Sequence, residues 1–75
     1  MCEVLIKTVA VNKKKINIYG IYDSIIDFES GKAPEFYDVF EEDENGQTCL
    51  NEGEMFWEFP NKDEIRKLIK DFYKS

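Results

Sequence analysis

Apolar and β-branched residues recur along the chain in short runs separated by polar segments, a pattern typical of an antiparallel sheet. The first two runs are 2–11 (CEVLIKTVAV) and 16–22 (INIYGIY), and they flank the polar segment 12–15 (NKKK). These runs predict a first hairpin with a polar turn. Apolar residues on both faces of the first run predict an interior strand. Gly20 inside the second run predicts a bulge or a close approach of another segment.

The next two runs predict a second hairpin. Residues 35–42 (EFYDVFEE) and 47–50 (QTCL) flank the segment 43–46 (DENG). Asp at the first position and Gly at the last are typical of a type I turn followed by a left-handed glycine. That turn predicts that Phe40 and Leu50 are cross-strand neighbours on one face of the sheet.

Two segments leave alternatives open. In 23–34, Ser24 and Asp27 form a weak capping-box pattern, so one or two helical turns and an ordered loop both fit. Residues 51–54 (NEGE) predict a second turn. The segment that follows, 55–59 (MFWEF), is either a short edge strand or an aromatic-rich loop.

The C-terminal segment 60–75 predicts an amphipathic helix. Asn61 is a favourable N-cap, and Glu64 three residues later completes a capping box. The apolar side chains then follow at the spacing of one helical face: Ile65, Leu68, Ile69 and Phe72. We therefore predict one α+β domain over 1–75. It comprises a small four- to five-stranded, mainly antiparallel sheet of two hairpins, with the C-terminal helix packed on one face.

The composition indicates a folded cytoplasmic protein. Of the 75 residues, 43% are hydrophobic and 15% aromatic, more large apolar groups than disordered chains carry. No apolar run approaches the roughly 20 residues that span a bilayer, and the first residues lack the features of a signal peptide. Two cysteines are too few for the framework of a small secreted scaffold.

The sequence lacks the residues of most catalytic systems. It contains no histidine, which removes Ser-His-Asp and Cys-His nucleophilic systems and the usual general base. Two cysteines without histidine cannot make a four-ligand Cys/His zinc site, and the phosphate-binding glycine motifs are absent. We therefore predict a protein that is not an enzyme and has no cofactor and no metal ligands.

The net charge of −6 is concentrated in the middle of the chain. Residues 21–58 contain twelve acidic side chains and a single basic one, Lys32, whereas both ends carry more base than acid. A chain without a basic stripe cannot release counterions from a phosphate backbone, so direct nucleic-acid binding is not expected. Binding to an anionic membrane surface is not expected for the same reason.

The acidic segment 41–52 (EEDENGQTCLNE) admits several interpretations. It matches the calcium-loop pattern D-x-[DN]-x-[DN]-G-x5-E except that Glu41 replaces the first Asp. Its flanks are strand-like rather than helical, so an acidic hairpin turn explains most of the match. The same acids could form a solvated face that keeps a small protein soluble, or a surface for a basic partner.

We expect a non-enzymatic binding module in which the acidic hairpin engages a protein partner with a basic surface. The candidate partner-binding residues are Asp38, Glu41, Glu42, Asp43, Glu44, Glu52, Glu54, Phe56 and Trp57. In the concrete version, the protein is an inhibitor that mimics nucleic acid and covers a groove built for it. The excess of lysine over arginine, nine to one, favours a low-GC bacterium, or its phage or mobile element, and such an origin allows a counter-defence role.

Two alternatives stand beside that hypothesis. The first is a homodimer that sequesters a nucleotide-like ligand by stacking it on Trp57. Dimerisation would also help a chain too short to bury a large core. The second is a calcium-binding module at 41–52.

Overall fold

The structure, a computed structural model, describes residues 1–74. It contains a four-stranded antiparallel sheet of two hairpins and a C-terminal helix, so the predicted α+β class is confirmed. The strands are β1 (Cys2–Val11), β2 (Lys14–Tyr22), β3 (Phe36–Asp43) and β4 (Gly46–Cys49), and the helices are α1 (Ile25–Glu29) and α2 (Lys62–Lys74). The strands lie side by side in the order in which they occur along the chain.

The first hairpin turns through two residues, Asn12 and Lys13, whose φ angles are 53° and 63°. Positive φ at both central positions is the geometry of a type I′ turn, whose twist matches that of the flanking strands. The turn predicted over 12–15 is therefore too wide, because β2 already begins at Lys14.

β1 lies at the edge of the sheet and pairs with β2 alone, so the prediction of an interior strand is wrong. Its register against β2 shifts between Leu5 and Lys7. This bulge moves the side-chain alternation by one residue. Val4 and Val9, which strict alternation places on opposite faces, therefore share one face.

The second hairpin has a two-residue loop, and Asp43 pairs directly with Gly46. The Asp43 side chain accepts a hydrogen bond from the Asn45 N–H at 2.8 Å, and Gly46 has a φ of 125°. Phe40 consequently pairs with Cys49, so the predicted pairing of Phe40 with Leu50 is wrong by one residue. The prediction counted the glycine as part of the turn, whereas the glycine takes part in the ladder.

The hydrophobic core lies between α2 and one face of the sheet, which we call the helix face. Ile16, Ile18 and Val39 on that face are fully buried. α2 contributes three of the four predicted apolar positions, Ile65, Leu68 and Ile69. The fourth, Phe72, is 39% exposed and lies with its ring 5.2 Å from that of Tyr73.

The ambiguous segment 23–34 contains one turn of helix. The Ser24 hydroxyl accepts from the Asp27 N–H at 3.4 Å, which confirms the predicted N-cap. The ring of Phe28 lies edge-on, 5.4 Å from that of Tyr22, and Pro34 lies over Gly20. A Cβ at Gly20 would be 2.9 Å from the Pro34 Cγ, so the predicted close approach is confirmed.

We predict that Gly20→Ala lowers the free energy of unfolding by about 1–3 kcal/mol, the usual cost of overpacking. Chemical denaturation followed by circular dichroism measures this loss. Pro34→Ala removes the Cγ atom, the nearest of the three atoms that the new methyl group would meet. The double variant should therefore lose less than the sum of the two single variants, and additive losses would show that the clash is not the cause.

Candidate binding surface on the open sheet face

The face of the sheet opposite α2, which we call the open face, carries its side chains in four rows. Paired residues of neighbouring strands share a face, because side chains alternate along each strand. The rows are Glu3–Ile21–Phe36, Leu5–Tyr19–Asp38, Thr8–Asn17–Phe40–Cys49 and Ala10–Lys15–Glu42–Gln47. Leu5 is 50% exposed, and the rings of Tyr19, Phe36 and Phe40 are half-buried. This face therefore presents apolar and acidic groups to solvent.

A polar network around Asn17 occupies one half of the open face. The Asn17 amide nitrogen donates to Glu42 Oε1 at 2.7 Å and to Gln47 Oε1 at 2.9 Å, and its oxygen accepts from Thr8 at 2.7 Å. Lys15 Nζ donates to Glu42 Oε2 at 2.9 Å. These bonds, from Lys15 first and Asn17 second, hold the pKa of Glu42 below its ordinary value. Glu42 is thus engaged within the protein.

Glu41, the preceding residue, points to the helix face and is 8% exposed. Both of its carboxylate oxygens lie 2.7 Å from the Tyr73 hydroxyl, which donates to them. Lys14 Nζ lies 3.6 Å from the same carboxylate and 4.4 Å from the centroid of the Tyr73 ring. The hydrogen bond to Glu41 raises the pKa of Tyr73. The two consecutive acids therefore face opposite sides of the sheet.

The other predicted acids are distributed around the second hairpin. Asp43 caps its own turn, and Glu44, Glu52 and Glu54 are exposed. Asp38 is half-buried on the open face, in the row of Tyr19. Within residues 1–74, no lysine or arginine forms an ion pair with Asp38, Glu52 or Glu54.

The pKa of the Cys49 thiol on the open face is raised above its ordinary value. Burial raises its pKa most, and the negative charges of Asp38, Glu52 and Glu3 raise it further. A hydrogen bond from the backbone of Asn51 acts in the opposite direction and lowers the pKa. Carboxylates from three different segments therefore raise the pKa of this one thiol, which lies beside Phe40.

The side chain of Asn51 positions the loop that follows β4. Its Oδ1 accepts from the Val39 N–H at 3.1 Å and from the Cys49 thiol at 3.3 Å. Its Nδ2 donates to the carbonyl of Tyr37 at 3.2 Å and to that of Glu54 at 3.0 Å. This buried amide joins the loop to β3, and sequence reasoning missed it because 51–54 reads only as a turn.

Phe56 and Trp57 lie on opposite sides of the loop that Asn51 holds. The Tyr37 N–H donates to the Phe56 carbonyl at 2.8 Å, a single bridge rather than a fifth strand. The Phe56 side chain packs against the core. Trp57 is 67% exposed, and its ring is 6.3 Å from that of Phe36 on the open face. Of the two predicted anchors, only Trp57 is largely accessible.

β3 presents alternating aromatic and acidic side chains on the open face: Phe36, Asp38, Phe40 and Glu42. Tyr19 pairs with Asp38, and its ring lies edge-on, 5.3 Å from that of Phe40. Phe36, Phe40 and Tyr19 were not among the predicted site residues. The period-2 alternation within 35–42 was the signal that could have identified the first two.

The surroundings of Trp57 bear on the ligand-sequestering alternative. The groove beside its ring is lined by Glu54, Glu58 and Glu64 as well as by apolar side chains, with no lysine or arginine among the lining residues that the structure describes. A phosphate group there would meet like charges. The groove therefore does not favour a nucleotide-like ligand.

The calcium pattern falls on an antiparallel hairpin. Glu41 binds Tyr73 beneath α2, whereas Asp43 caps the turn at the tip. Among residues 1–74, no group of three or more acidic or cysteine side chains is arranged to hold a metal ion.

The chain matches no family model, no curated protein and no solved structure. Within the described part of the chain, neither helix has the length and apolar character needed to cross a bilayer.

We predict that Asn51→Ala lowers the free energy of unfolding by about 2–4 kcal/mol, because the buried Val39 N–H and Tyr37 carbonyl lose their partner. Urea denaturation, followed by the fluorescence of Trp57 and by circular dichroism, measures this loss. Asn61→Ala is the matched control, since it removes an exposed N-cap that is worth about 1 kcal/mol. Equal losses in the two variants would contradict the role assigned to Asn51.

We predict that Glu42→Gln weakens the dependence of stability on acid pH. The folded-state pKa of Glu42 lies below its ordinary value of 4.5. Its contribution is therefore present above pH 4.5 and is lost as the pH falls through the folded-state pKa. Thermal denaturation between pH 3 and pH 7, in steps of about half a unit, measures the slope. Glu44→Gln, in the exposed turn, should leave the slope unchanged, and an unchanged slope in Glu42→Gln would contradict the prediction.

Proposed function

We propose that this protein is a small acidic, non-enzymatic binding module that engages a protein partner with a basic surface. The observation that carries the proposal is that two carboxylates, Asp38 and Glu52, lack an ion-pair partner within residues 1–74. Asp38 lies two residues along β3 from Phe36, against which the exposed ring of Trp57 packs, and Glu52 lies in the loop between β4 and Trp57. Charged groups of this kind steer a basic partner, and an exposed tryptophan supplies a contact of the type that dominates interfaces.

The proposed binding surface differs from the acidic hairpin as a whole. Glu41 and Glu42 hold the fold together through Tyr73, Asn17 and Lys15. The acids left for a partner are Asp38, Glu52 and Glu54, with Asp43 and Glu44 at the tip. In this proposal Phe56 supports the loop from the core side, and Trp57 makes the contact.

In the concrete form of the proposal the protein is an inhibitor. Its carboxylates are fixed on a sheet, so they can occupy a basic groove that otherwise binds a phosphate backbone. A phage or mobile element of a low-GC bacterium is the origin that the lysine-rich composition supports, with a nuclease or other defence protein of the host as the class of target.

We predict that the triple variant Asp38→Asn/Glu52→Gln/Glu54→Gln loses the partner, with retention reduced about tenfold or more. The tagged protein is used as bait in a low-GC bacterial lysate, washed at rising salt, and the retained proteins are identified by mass spectrometry. A basic protein should be retained at low salt and released as salt screens the charges.

The matched control is Asp23→Asn/Glu29→Gln/Asp71→Asn, which makes the same change in net charge elsewhere on the molecule. It should retain the partner. Retention of the same proteins by the triple variant, or of no basic protein by the wild type, would contradict the proposal. A small molecule that copurifies with the wild type and is lost in Trp57→Ala would favour the ligand-sequestering alternative.

A further inference from the structure

The carboxylate of Asp38 lies among aromatic rings on the open face. Phe36 and Phe40 precede and follow it by two residues on β3, and such positions are about 7 Å apart on one face of a strand. Tyr19 is its cross-strand partner on β2, and Trp57 packs edge-on against Phe36. Asp38 therefore has aromatic residues at the neighbouring open-face positions of β3 and β2. The Tyr19 hydroxyl donates to Gln47 Oε1 at 3.0 Å, so its ring extends toward Phe40. No lysine or arginine within residues 1–74 forms an ion pair with Asp38.

This combination of groups is specific for one kind of side chain. A guanidinium group stacks on aromatic faces and donates two parallel hydrogen bonds to a carboxylate. An ammonium group is more strongly hydrated and lacks the planar fork. We propose that Asp38, Phe36, Phe40 and Tyr19 form a site for an arginine side chain of the partner. This inference depends on the proposed function, because it names the group by which the basic partner is recognised.

The charge of the open face argues against a second copy of this chain as the occupant. Two copies placed face to face would bring Asp38 and Glu3 of each molecule together without compensating cations. The only lysine in the four rows, Lys15, already pairs with Glu42. A partner that brings positive charge to the face is the complement that these residues fit.

The polar half of the open face marks the border of the site. Its groups satisfy one another, and every buried side-chain nitrogen and oxygen among the described residues has a hydrogen-bond partner. Asn17 and Glu42 therefore have little to gain from a ligand. The carboxylate without an ion-pair partner, Asp38, lies on the aromatic side of the open face.

The test uses the peptide N-acetyl-Thr-Arg-Thr-amide and its citrulline counterpart, which keeps the planar shape but lacks the charge. Each is titrated into the isotopically labelled full chain, and amide shifts are followed by NMR. The arginine peptide should shift Tyr19, Asp38 and Phe40 saturably, with a dissociation constant on the order of 1 mM. The citrulline peptide should bind about tenfold more weakly or worse.

Two variants separate this site from general acidity. Asp38→Asn keeps the shape of the side chain and should weaken the arginine peptide about tenfold, whereas Asp71→Asn, which removes the same charge at an exposed position of α2, should leave its affinity unchanged. Phe40→Leu, with folding checked by circular dichroism, should also weaken binding. Sedimentation of the free chain should give a monomer, because a dimer that covers the open face would overturn the assignment.

The remaining outcomes are also decisive. Equal affinity for both peptides, shifts confined to residues outside the open face, or no shift at 10 mM peptide (roughly ten times the expected constant) would overturn the arginine site. The proposed function has its own readout in the lysate experiment. A basic partner that is lost in the triple variant but retained by Asp38→Asn alone would refute the arginine site and leave the binding module standing.

Discussion

The hydrogen bonds of the Asn51 side-chain amide are the interactions on which the candidate binding surface depends. β4 ends at Cys49, and β3 continues past that point toward Phe36 with backbone groups that need partners. Asn51 supplies them by accepting from the Val39 N–H and donating to the Tyr37 carbonyl, as a neighbouring strand would do. The carbonyl of Phe56 then accepts from the next free N–H of β3, that of Tyr37. Because buried backbone groups must be paired, this one amide determines where the loop bearing Trp57 lies.

The pleat of the sheet gives neighbouring acids different roles. Glu41 and Glu42 are adjacent in sequence, yet one closes the core against Tyr73 and the other completes the network around Asn17. The acidic run is therefore partly structural. In the proposed function, the charge left for recognition belongs to residues that are separated in sequence, such as Asp38 on β3 and Glu52 in the loop that follows β4. A dense run of carboxylates can thus be a poor guide to the surface that a partner meets.

Local signals in the sequence predicted much of the fold, whereas features that depend on strand pairing were not predicted correctly. The α2 capping box is local, and the structure contains both of its bonds, between Asn61 and Glu64 at 2.8 and 3.0 Å. The predicted register of the second hairpin was wrong by one residue, because the same turn residues occur in two-residue and three-residue loops. The β1 bulge carries no glycine or proline to mark it. The site was harder still, because the alternation of Phe36, Asp38 and Phe40 becomes a surface only when the face that α2 covers is known.

The open face also connects binding to stability. A chain of this size buries its core on one side of a single sheet, and such small domains are marginally stable. Tyr19, Phe36 and Phe40 remain half-exposed there, so apolar area is left for a partner to cover. A partner that binds only the folded chain stabilises it in proportion to the logarithm of its concentration over the dissociation constant. In the proposed complex, the partner would cover these aromatic groups, and the carboxylate of Asp38, which has no ion pair within residues 1–74, would select a partner that brings positive charge.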